Sequence, residues 1–145
     1  MNSIVLISGG FDPLHSGHIA MIEEAGKYGK IVVLLNSDKW LINKKGKFFL
    51  PFKERSTIML AIKNVVDVIE FNDSDKTCTD GIRKAIKKYS NIKIKIANGG
   101  DRNIETTPIS EKEFCKKNGI ESLWKVGGDF KKNSSSLILK RWKKL

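Results

Sequence analysis

Residues 8–18 read Ser8-Gly9-Gly10-Phe11-Asp12-Pro13-Leu14-His15-Ser16-Gly17-His18. They follow the apolar run Ile4-Val5-Leu6-Ile7 and precede Ile19, Ile22 and Ala25, which recur at helical spacing. A buried strand, a glycine-bearing turn and a helix therefore succeed one another at once. That is how a parallel α/β sheet begins, because each parallel strand needs a crossover back to the same edge.

The rest of the chain repeats the alternation. Ile31-Val32-Val33-Leu34-Leu35 is continuously apolar, as in a strand covered on both faces. A short helix is predicted over Asp38–Asn43 and a loop over 44–51. Pro51 opens a helix running to about Asn64. Asp67–Phe71 reads as a strand, Asn72–Thr79 as a polar loop and Asp80–Tyr89 as a helix. Ile92–Ala97 alternates with period two. Ser110-Glu111-Lys112-Glu113 is a capping-box pattern opening a helix that stops near Gly119. Ile120–Val126 is the fifth strand candidate and Ser136–Lys143 the last helix. No repeat or linker divides the chain, so residues 1–145 are expected to form one domain with a mainly parallel five-stranded sheet. Ligands of such sheets bind beyond the carboxyl ends of the strands.

Composition narrows the partners. The chain has 145 residues, with 27 Lys+Arg against 16 Asp+Glu and a net charge of +11. This fits nucleic acid, an anionic membrane surface or small phosphorylated ligands, and also a solvated lysine-rich surface. Cys78 and Cys115 lack metal-ligand spacing, so reduced thiols and a cytoplasmic location are expected. The first residues lack the basic start and long apolar core of a signal peptide. No apolar run approaches the ~20 residues that span a bilayer.

Four segments carry candidate chemistry. Both histidines of the chain lie in the first turn, three residues apart. Gly9 and Gly10 permit close approach of a phosphate, and Gly17 leaves room between the imidazoles. A helix N-terminus adds free N–H donors and a partial positive charge. Neither a dinucleotide fingerprint nor a P-loop is present, and a zinc site lacks further ligands. Next come Lys44, Lys45 and Lys47, with Arg55 one helical turn beyond Pro51; its planar fork suits phosphate. Asn98-Gly99-Gly100-Asp101, followed by Arg102, ends the fourth strand. Ser134, Ser135 and Ser136 place three hydroxyls at the start of the last helix, more than one N-cap requires.

Gly10-Phe11-Asp12 followed by His15-Ser16-Gly17-His18 resembles the G-x-F-D-x-x-H-x-G-H signature of the cytidylyltransferase-like nucleotidyltransferases. Asn36-Ser37-Asp38, Lys45-Gly46, Pro51, Arg55, Val66-Asp67, Gly99-Gly100-Asp101 and the serine run fall in the family's order. Among subgroups the chain is most similar to heptose 1-phosphate adenylyltransferase domains, then to glycerol-3-phosphate cytidylyltransferases. The resemblance implies a Rossmann-like, doubly wound α/β domain that moves a nucleotidyl group from ATP or CTP to a small phosphorylated acceptor, a sugar phosphate first, releasing pyrophosphate. It implies His15 and His18 as transition-state stabilisers, with Lys45 beside them. It assigns Gly9, Gly10, Phe11, Asp12, Gly17, Gly99, Asp101, Ser134, Ser135 and Ser136 to the nucleotide. Lys44, Lys47, Arg55 and Arg102 fall to the phosphates and acceptor. Mg²⁺ is the implied cofactor, with Asp12 as its ligand or else as a turn residue. A homodimer is expected, and no membrane.

The chain departs from the pattern at Asn133, where the family has an aliphatic residue. It also lacks the arginine seen before the serine run in cytidylyltransferases. Two other readings fit the sequence: a basic nucleotide- or nucleic-acid-binding module without catalysis, and a nucleotide sensor without turnover. Trp40, Trp124 and Trp142 read as core or interface residues, whereas Phe48 and Phe49 stand where they could close over the acceptor.

Overall fold

A computed structural model describes residues 2–99, 107–126 and 134–144. In chain order the elements are β1 (Ser3–Gly9), α1 (Ser16–Ala25), β2 (Lys30–Leu35), α2 (Asp38–Lys45), α3 (Phe52–Leu60), β3 (Val65–Glu70), α4 (Thr79–Lys88), β4 (Lys93–Gly99), α5 (Ile109–Lys117), β5 (Glu121–Val126) and α6 (Ser135–Lys143). The strands form one sheet in the order β3-β2-β1-β4-β5, and every pairing is parallel.

Alternation along each strand sorts the core into two layers. Ile4, Leu6, Val32 and Leu34 pack with Ile82 and Ala85 of α4 and Cys115 of α5. Val5, Ile7, Ile31, Val33 and Leu35 pack with Ile22 and Ala25 of α1 and Met59 of α3. The strand order reverses at β1, between β2 and β4. Open parallel sheets bind ligands beyond the strand ends at such a switch point, and the turn after β1 stands there.

Among the boundaries that differ from the sequence expectation, three have a visible cause. α1 starts at Ser16 because the His15 side chain caps it. α3 ends at Leu60; Asn64, which tolerates the left-handed region, turns the chain into β3 with φ +72°. The Ser110 capping box does not form. Pro108 is the N-cap residue of α5, so Ser110 lies inside the first turn. Glu111 is instead buried, with Oε2 accepting the Cys78 N–H at 3.5 Å.

Candidate active site

The turn after β1 is shaped by packing before any ligand enters. Phe11 sits at φ +49°, and its ring is buried edge-on to His18 with centroids 4.8 Å apart. A Cβ on Gly10 would stand 2.7 Å from Leu41 Cδ2, so this glycine lets α2 close against β1. The expectation that Gly10 serves a phosphate thus has a second cause, helix-to-strand approach.

The two histidines cap their own helix. His15 Nδ1 accepts the Gly17 N–H at 3.1 Å, and His18 Nδ1 accepts the His15 N–H at 3.3 Å. Their rings stack with centroids 3.7 Å apart and planes 25° apart. An Nδ1 that accepts a backbone N–H cannot carry a proton itself. Both imidazoles are therefore assigned the tautomer with its N–H on Nε2. The sequence presents this pair as a ligand-facing motif; the structure shows that the same atoms set the helix start.

Asp12 does not have the geometry of a metal ligand. Its side chain is fully buried, Oδ2 accepting Phe49 N–H at 2.6 Å and Oδ1 accepting Leu50 N–H at 2.7 Å. Lys45 Nζ donates to the Asp12 carbonyl at 2.5 Å and lies 3.7 Å from Oδ2. The carboxylate thus ties the loop after α2 to the turn after β1. Among the described residues, no cluster of three His, Cys, Asp or Glu side chains could hold a metal. Among the described residues the donor set does not fit a protein-borne Mg²⁺ site, and the tie between the two loops gives Asp12 a structural role.

Arg55 is likewise placed differently from its expected phosphate contact. It is buried, with Nε donating to Leu50 O at 2.8 Å. One terminal nitrogen donates to Gly10 O at 3.0 Å and Asn36 O at 2.8 Å, the other to Asp38 Oδ1 at 2.7 Å. Its fork fastens the ends of β1 and β2, the first turn of α2 and the loop before α3. Helical spacing correctly put Arg55 back toward the loop; it could not show that backbone carbonyls would claim the guanidinium. Arg55 is a positioning residue here.

Sequence reasoning assigned no role to Asp73. Its carboxylate accepts from Asn36 Nδ2 at 3.1 Å, Ser37 N at 2.8 Å and Ser37 Oγ at 2.8 Å, while Ser37 Oγ caps α2 through Trp40 N. The only signal was an acidic residue in the loop following a strand.

The serine run reaches the same place from the far end of the chain. Ser134 Oγ accepts Leu137 N–H at 3.0 Å as the N-cap of α6. Ser135 Oγ donates to Pro13 O at 2.7 Å, which sets the N-terminus of α6 beside the histidine turn. Ser136 is exposed. Lys44 Nζ lies 4.8 Å from the centroid of the Trp40 ring, and Lys47 is exposed on the loop. Gly99 ends β4 opposite Val126. Gly100, Asp101, Arg102, Lys131, Lys132 and Asn133 lie outside the described residues.

Two helix N-termini and a histidine pair thus meet at the switch point of a parallel sheet, an arrangement that defines an α/β protein of the nucleotidyltransferase type. Residues 6–141 match the cytidylyltransferase-like family, and the chain belongs to it. It is 31% identical over 137 residues to the bifunctional protein HldE of Blochmanniella floridana, an alignment covering 93% of this chain and 26% of that protein. It is 34% identical over 116 residues to the FAD synthase of Thermococcus sibiricus, covering 79% of this chain and 73% of the relative. The chain therefore spans about a quarter of the HldE protein and most of the FAD synthase. Its fold is shared with a lipopolysaccharide core biosynthesis protein from Thermoplasma volcanium, with TM-score 0.62 and 22% identity over 84% of this chain and 93% of that one.

Proposed function

We propose that the protein transfers a nucleotidyl group from ATP or CTP to the phosphate of a small acceptor. A phosphate oxygen of the acceptor attacks the α-phosphorus, the bond from that phosphorus to the bridging oxygen breaks, and pyrophosphate leaves with the electron pair. Negative charge builds on the non-bridging and leaving oxygens. Catalysis of this kind needs fixed donors more than covalent help. The observation that carries the reading is the histidine pair, whose capping bonds leave the N–H of each ring on Nε2. The pair stands at the N-terminus of α1, and Ser135 ties the start of α6 to the same turn; helix N-termini favour anions.

The nucleotide enters as its magnesium complex, the metal belonging to the substrate. Lys45 is held at the rim by Asp12 and supplies further positive charge. A sugar phosphate is the acceptor that the heptose-type resemblance supports. A glycerol-type phosphate is the alternative from the same resemblance. FAD synthase, among the similar proteins, widens the acceptor class to phosphates carrying larger groups. Pairing of two copies is expected from the family.

The test is pyrophosphate release with ATP and CTP crossed against phosphorylated acceptors. Turnover should require a specific pair and fall at least a hundredfold in His15→Ala and His18→Ala, within the range of lost transition-state donors, roughly 10²–10³. Full turnover in both variants would refute the assigned mechanism.

A further inference from the structure

We propose that Asp73 is a positioning residue for nucleotidyl transfer: from the loop after β3 it seats α2, and α2 sets Lys45 against the turn after β1. This rests on the nucleotidyl-transfer reading of the same site.

The Asp73 carboxylate is buried and takes three donors. Asn36 Nδ2 donates to Oδ2 at 3.1 Å, Ser37 N–H to the same oxygen at 2.8 Å, and Ser37 Oγ to Oδ1 at 2.8 Å. A carboxylate only accepts, so the Ser37 hydroxyl proton points at Asp73. Its lone pair is left for the Trp40 N–H at 3.0 Å, the cap of α2. The carboxylate also brings negative charge to the N-terminus of α2, the favourable end. The loop that carries Asp73 is fixed in turn, since the Asn72 N–H donates to Asp80 Oδ2 of α4 at 2.8 Å.

Residues 36–38 are gripped from two sides. Arg55 donates to Asn36 O and Asp38 Oδ1, and Asp73 accepts from Asn36 and Ser37. From this segment three contacts reach the turn after β1. The Asn36 N–H donates to Gly9 O at 2.9 Å, Leu41 of α2 stands against Gly10, and Lys45 donates to Asp12 O. Lys45 ends the eight-residue α2, about 12 Å from its cap at ~1.5 Å per residue. A tilt of about 5° at the cap moves that end about 1 Å, and a misplacement of this size costs up to ~10²-fold in rate. Arg55 holds the acceptors of the segment and Asp73 its donors, so neither can stand in for the other.

The test is a double-variant cycle. Asp73→Asn keeps the size of the side chain and can no longer accept at both atoms. Its kcat should fall roughly ten- to a hundredfold, with KM for the nucleotide within about threefold of the parent. In a Lys45→Ala background the same substitution should cost nothing further in kcat, while the urea midpoint falls equally in both backgrounds. Ser37→Ala keeps the backbone bond to Asp73 and loses the hydroxyl. It should show a smaller loss coupled to Lys45 in the same way, and it carries the cycle where Asp73→Asn does not fold. Losses in kcat that multiply in the double variant overturn the proposal, as does lowered stability with unchanged kcat. The backbone amide signals of Gly9, Gly10 and Asp12 in the ligand-free protein decide it apart from turnover: they should shift in Asp73→Asn or Ser37→Ala. Shifted signals in a protein that releases no pyrophosphate with any acceptor would uphold the seating of the turn and refute the transfer reading. Unshifted signals overturn the proposal whatever the turnover.

Discussion

Ser135 Oγ donates to the carbonyl oxygen of Pro13 at 2.7 Å, joining residues 122 positions apart. The bond holds the N-terminus of α6 over the histidine turn. Ser135→Ala removes a single neutral hydrogen bond, worth about 0.5–1.5 kcal/mol. KM for the nucleotide should rise roughly 3- to 10-fold by that arithmetic, with little change in melting temperature. Steady-state kinetics alongside thermal melts would check it; a large loss of stability with unchanged KM would contradict it.

His15 combines two roles that substitution can separate. Asparagine is a good N-cap residue, so His15→Asn should keep the helix start while removing the Nε2–H donor. His15→Ala should lose both, with a further destabilisation of about 1 kcal/mol. Denaturant melts should therefore rank Asn above Ala, while pyrophosphate release should be equally low in the two.

Arg55 is expected to matter through folding. Arg55→Ala orphans the carbonyls of Leu50, Gly10 and Asn36 and leaves Asp38 without its cation. Breaking a buried pair of this kind costs about 3–5 kcal/mol. Arg55→Lys retains the charge and loses the fork, so it should recover only part of that. Urea unfolding of the three proteins would measure the series, and a neutral Arg55→Ala would show that the fork is not needed.

Tyr89 gives a pH prediction away from the site. Burial first, then its hydrogen bond to Asp67 and that carboxylate's charge, push the phenol up from 10.0 to about 12. The folded state keeps this proton while the unfolded chain releases it above its ordinary value. The contribution is therefore complete below pH 10 and is lost as pH rises through about 12. Alkaline unfolding should come at lower pH in Asp67→Asn, and Tyr89→Phe should remove the late phase of phenolate absorbance.

Much of the fold was legible because the chain states its periods clearly. Ile31–Leu35 is apolar without interruption since β2 is covered on both faces, and β1 reads the same way. The boundary errors arose where side chains, rather than periodicity, decide. His15 capped a helix that apolar spacing would start later, and Pro108 displaced a serine cap.

The site was legible in its members and less so in their duties. The sequence pattern singled out Asp12 and Arg55, yet most of their hydrogen bonds go to backbone groups, which residue identity cannot report. Trp142 was expected in a core or interface; at 63% exposed it is not part of this chain's core.

The strand order also sets a sequence of events during synthesis. β1 is the first strand made, but its second neighbour, β4, follows it by more than eighty residues. A nascent chain that has emerged as far as β3 already holds both histidines and the Arg55 staple, with one flank of β1 still open. The histidine turn gains its contact with α6 only when Ser135 finds Pro13. On the proposed reading, a truncation just before Ser134 should leave a largely built sheet with an incomplete binding site.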